Sequence, residues 1–103
     1  MNWKEIFEKY PKGHNKYAVW ERDHYYNDGE LTPNPPIRDL YDFFDENEIY
    51  CCIIPNLQLG TAKLVFQIFI MYYEDGYELD SRKLAEDFMF LKAFEILEQK
   101  LQS

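Results

Sequence analysis

The chain has 103 residues, 47% of them hydrophobic, with two Trp, nine Tyr and eight Phe. That is enough apolar material for one core and too little length for separate cofactor and substrate domains. Lys and Arg number 11 against 19 Asp and Glu, a net charge of −8 with a pI near 4.6, which disfavours direct binding to nucleic acid or to anionic membrane surfaces.

In chain order, Trp3, Ile6, Phe7 and Tyr10 form an i, i+3, i+4, i+7 set behind Asn2, with Glu5 placed as a capping-box partner. A first short helix is expected there, stopped by Pro11 and Gly13. Asn15 then caps a second helical segment with Tyr17, Trp20 and His24 on one face. Asn27-Asp28-Gly29 and Thr32-Pro33-Asn34-Pro35-Pro36 read as a linker. It divides an N-terminal helical arm, residues 1–36, from a helix-sheet-helix body, residues 37–103, within one small domain. Ile37, Leu40, Tyr41 and Phe44 predict a third helix over 37–46, with Asn47 as a left-handed stop.

The apolar period then drops from 3.6 to 2. Residues 49–54 read as a strand, 55–61 as a loop, and 64–73 as a second strand that is apolar on both faces and therefore needs cover on each. Asp75-Gly76 is a hairpin signal leading to a short third strand over 77–79. Asp80 or Ser81 caps a last helix over 82–101, whose main apolar arc holds Ala85, Met89, Phe90, Ala93, Phe94, Ile96, Leu97 and Leu101. Lys92, Glu95, Glu98 and Gln99 fall on the opposite side, where Leu84, Phe88 and Leu91 add a second apolar ridge that the N-terminal arm or a partner must cover. The expected fold is α+β: a three-stranded antiparallel sheet, a long C-terminal helix on one face, and short N-terminal helices on the other face or around the sheet edge.

Antiparallel pairing of the first two strands places Asp45, Glu46 and Glu48 beside Glu74 and Asp75, with Tyr50, Tyr72, Tyr73 and Tyr77 on the same rim. Carboxylates mixed with tyrosines suit a basic protein surface. Asp39, Asp42 and Asp45 also repeat every three residues, with no base between Arg38 and Lys63, a stripe that can imitate a phosphate row. The candidate partner-binding residues are therefore Asp39, Asp42, Asp45, Glu46, Glu48, Tyr50, Tyr72, Glu74, Asp75 and Tyr77. They support a non-enzymatic, acidic protein-interaction module that docks a basic protein; the alternative is a nucleic-acid-mimicking inhibitor of a DNA- or RNA-handling enzyme.

Catalytic, metal and cofactor sites are not expected. His14 and His24 lack a second ligand at zinc spacing, Ser81 and Ser103 are the only serines, and the glycines form no phosphate cradle. An enzyme would have to work with Glu21, Asp23 and His24. Cys51 and Cys52, on opposite faces of a strand, read as reduced, buried, small hydrophobes. The longest apolar stretch, 64–73, is about half of what a membrane-spanning helix needs. Trp3, Lys4, Glu5 and Glu8 interrupt any leader-like apolar run. The expectation is thus a cytoplasmic protein without membrane attachment, monomeric or homodimeric according to what covers the second ridge.

Three segments, Leu40-Tyr41-Asp42-Phe43-Phe44-Asp45, Arg82-Lys83-Leu84-Ala85-Glu86 and Phe90-Leu91-Lys92-Ala93-Phe94-Glu95-Ile96-Leu97-Glu98, resemble small uncharacterised proteins encoded by phages and mobile elements of gut Bacteroidetes. The resemblance implies a cytoplasmic accessory protein and assigns no functional residue.

Overall fold

In the computed structural model, which describes residues 2–24, 37–58, 60, 63–70, 78–79 and 81–102, Asn2 opens the first helix. Its Oδ1 accepts from the amides of Lys4 at 3.1 Å and Glu5 at 3.3 Å, satisfying two of the donors that begin α1, Trp3–Lys9. Glu5 does not complete a capping box; its carboxylate takes the Lys9 ammonium at 2.7 Å one turn on. Pro11 does not simply stop this helix. It is the first residue of α2, Pro11–His24, where a missing N–H costs nothing, and Tyr10 O is already accepting from His14 N at 2.9 Å. Asn15 lies inside α2 and caps nothing, and with 14 residues this is not one of the short helices expected.

The third helix, α3, spans Ile37–Glu46 and buries Leu40, Phe43 and Phe44. It ends in a Schellman motif: Glu48 N donates to Asp45 O at 3.1 Å and Ile49 N to Phe44 O at 2.9 Å. The left-handed residue of that motif is Glu48, with φ 61°, and not Asn47, whose side chain donates back to Phe43 O at 2.8 Å. A Cβ in this conformation is strained. Glu48→Gly should therefore raise the unfolding free energy by about 1 kcal/mol, less a part returned as chain entropy, read as a higher urea midpoint with an unchanged slope.

β1, Cys51–Gln58, runs antiparallel to β2, Lys63–Ile70, in register from Cys51 opposite Ile70 to Gln58 opposite Lys63. β1 continues through Pro55, expected as loop, because it is an edge strand and a proline can turn its missing donor to the open side. Among the described residues β3, Glu78–Leu79, meets β2 at Phe66 and Gln67. The expected three-stranded sheet is thus corrected to a two-stranded ladder of eight-residue strands carrying a two-residue stub. The stub has no room to lengthen forward. Ser81 already serves as the cap of α4, Arg82–Gln102, its Oγ accepting from Leu84 N at 3.1 Å. The expected Asp75-Gly76 hairpin lies outside the described residues.

The core forms around α4, which buries Ala85, Met89, Phe90, Ala93, Phe94 and Leu97. Ile68 and Ile70 of β2 join it, as do Leu40, Phe43 and Phe44 of α3, Ile6 of α1 and Tyr17 of α2. The arm and the body therefore share one core. The N-terminal helices lie against α4, with α2 on α4 and α1 on α2, and not on the sheet's second face, one of the two placements expected. That face leaves Ile54 47% and Phe69 43% exposed.

Candidate functional site

Alternation of apolar and acidic residues decides how α3 sits. With Leu40, Phe43 and Phe44 turned into the core, Asp42 and Asp45 are exposed and Asp39 is half-buried. Steps of three residues on a 3.6-residue helix fall back by about 60° each while rising about 4.5 Å. The three carboxylates therefore wind around an arc of about 120° over about 9 Å instead of standing in a straight row. None of them makes an ion pair among the described residues.

The corner after α3 holds the rest of the described candidates. Tyr50 is 48% exposed, and Glu48 is exposed at the left-handed position. Glu46 turns away to α2, where its carboxylate accepts from the Trp20 indole N–H. Asp45 faces the start of β1. Burial first, and then the charge of Asp45, push the neighbouring Cys51 thiol up to about 12, so that thiol stays protonated and inert. Cys52, on the opposite strand face, is exposed, which corrects the expectation that both are buried. The register does bring the start of β1 opposite the end of β2, as the rim requires. Tyr72, Glu74, Asp75 and Tyr77, the other half of that rim, lie outside the described residues.

Among the other titratable groups, His14 packs at 4.6 Å from the Trp3 ring and 5.0 Å from Phe7, and burial lowers its pKa from the usual imidazole value. Of the residues an enzyme would have used, Asp23 is exposed while Glu21 is buried, so the two do not face a common space. The side chain of His24 lies outside the described set. No cluster of three His, Cys, Asp or Glu side chains able to hold a metal occurs among the described residues. No described helix is long and apolar enough to cross a membrane.

Two features escaped the sequence reading. Glu98, assigned to the solvent side of the last helix, is only 5% exposed. Its carboxylate accepts from the backbone amides of Gly13 at 2.7 Å and Lys12 at 3.2 Å, capping α2 from 85 residues away. Gly13 allows this approach, since a Cβ there would lie 3.3 Å from Phe94 Cδ1 and 3.4 Å from Glu98 Oε2. The signal was present: Tyr10 is no capping residue and the first turn of α2 contains no acid, so the helix start needed an acceptor from elsewhere. The second feature is a groove of about 610 Å³ along α2, walled by Lys12, Lys16, Trp20 and Leu101.

The second apolar ridge of α4 is only partly covered. Phe88 and Leu91 are half-buried against the core, while Leu84 remains 55% exposed. Leu79, Asn2 and Glu5 border a groove of about 420 Å³ beside them. The N-terminal arm does not close the ridge with its large rings: Trp3, Tyr17 and Trp20 pack on Phe94 and Phe43.

No protein-family model, curated protein or solved structure matches this chain. The resemblance to phage and mobile-element proteins therefore rests on the three quoted segments alone.

Proposed function

We propose that this chain is a small, non-enzymatic, cytoplasmic interaction module that docks a basic protein surface through the solvent side of α3 and the corner that follows it. The observation that carries the reading is the set of three carboxylates on one rigid helix, Asp39, Asp42 and Asp45, without an ion pair among the described residues, next to an exposed Tyr50. Charges held on a packed helix lose little freedom on binding, and they steer a cationic partner before contact. Tyr50 adds an amphipathic ring of the kind that anchors interfaces.

The test is a binding titration of the full chain against a panel of folded basic proteins at low and high salt. Binding that weakens with salt and is lost in the triple variant Asp39→Asn, Asp42→Asn, Asp45→Asn, at an unchanged melting temperature, is the expected result. Retention of full affinity by that variant would overturn the reading.

A further inference from the structure

The first half of α2 carries its charges against the local electrostatics of a helix. Lys12 and Lys16 stand four residues apart on one face, where like charges repel, and toward the positive end of the helix dipole, with no acid in the first turn. Glu98 is close by, but it meets the backbone amides of Lys12 and Gly13. Both lysine side chains are exposed and neither makes an ion pair among the described residues. In a chain of net charge −8, such a pair is the reverse of the prevailing surface.

The groove beside them is built for more than a small anion. Val19, Trp20 and Leu101 line it with apolar surface, and Asp23 lines it at the end of α2 away from Lys12. Trp20 is held in place before anything binds. Its indole N–H donates to Glu46, and its ring lies 5.8 Å from Tyr17 and 5.7 Å from Phe43. A fixed aromatic plate next to two cations is a preorganised combination for an acidic, apolar ligand.

We propose that this groove takes an acidic amphipathic helical segment of another protein. Two of the segment's carboxylates, four residues apart, meet Lys12 and Lys16, and a leucine or aromatic side chain one turn further rests on Val19, Trp20 and Leu101. The matched spacing follows because both helices repeat every four residues on a face. Asp23 repels an acid at the far end and so fixes the direction of the bound segment. This surface is separate from the acidic side of α3 and opposite in charge, so the two proposals stand or fall independently.

The experiment is an amide-shift titration of the isotope-labelled full chain with a synthetic amphipathic helix bearing glutamates four residues apart and a leucine one turn on. The same helix with glutamines in place of glutamates is the control. The expected result is shifts confined to α2 and the end of α4 around Leu101. Affinity should fall about tenfold both for the glutamine peptide and for the double variant Lys12→Gln, Lys16→Gln, the combined worth of two exposed ion pairs. Both lysines are exposed, and an unchanged melting temperature verifies that the variant folds. Equal binding of the two peptides, shifts on another surface, or no shifts at millimolar peptide would overturn the proposal. Concentration-dependent mass without peptide, perturbing the same amides, would make the occupant a second copy of the chain and overturn it as well.

Discussion

Phe94→Ala should lower the unfolding free energy by about 4 kcal/mol, the middle of the range for truncating a buried ring. Phe94 is fully buried and packs against residues of α1, α2 and α3. Its ring lies 4.9 Å from Phe44, 5.5 Å from Trp3 and 6.2 Å from Phe43, and its Cδ1 faces Gly13 of α2, where a Cβ would lie 3.3 Å away. Truncation removes the transfer free energy of the ring and leaves a void that α1, α2 and α3 border together. Collapse into that void is resisted because Phe43 and Phe44 are fixed by further rings, Tyr17 at 5.1 Å and Phe90 at 6.0 Å. Against a total of about 5–15 kcal/mol for a domain of this size, the loss brings the chain close to its stability limit. Urea denaturation gives the value directly, and Leu84→Ala, on the same helix but 55% exposed, should change it by less than about 0.5 kcal/mol. A Phe94→Ala loss under about 1.5 kcal/mol would mean that the layers around α4 do not share one core.

What the sequence made legible was the part encoded by local periodicity. The arc Ala85, Met89, Phe90, Ala93, Phe94, Leu97 is buried in α4 as its spacing requires, and Leu40 and Phe44 set the core face of α3. Asn2 and Ser81 cap as their positions suggest. The errors arose where a tertiary contact outweighs a local preference. Pro55 reads as a loop residue until β1 is known to be an edge strand. Asn47 outranks glutamate for a left-handed residue, yet seating Ile49 against Phe44 moves that conformation to Glu48. The stacking of α2 on α4 depends on a missing side chain at Gly13, which periodicity does not weigh. The candidate site was legible in its acidic stripe, since a charge repeat on the polar side of a helix is local information. The lysine groove was not, because it needs Leu101 from the far end of the chain to meet Val19 and Trp20.

Glu98→Ala should cost about 3 kcal/mol, and Glu98→Gln about half as much. An isolated buried carboxylate would destabilise the fold and its removal would help. Here two amides at 2.7 and 3.2 Å and the positive end of the α2 dipole compensate the charge, so the balance is reversed. Alanine leaves both amides without their acceptor and opens space under Gly13, combining the loss of a helix cap with that of charge-assisted hydrogen bonds. Glutamine keeps the shape and one acceptor oxygen, but turns an NH2 group toward the second amide. Leucine fills the volume and offers no acceptor at all, so Glu98→Leu should resemble alanine and not restore stability. The three variants together separate capping from packing, because packing alone predicts leucine as the mildest and capping predicts glutamine. Amide exchange locates the effect: Lys12 and Gly13 should lose protection first, while the middle of α4 keeps it. If leucine proves the mildest of the three, the carboxylate is only a space-filler and α2 is held by its apolar contacts alone.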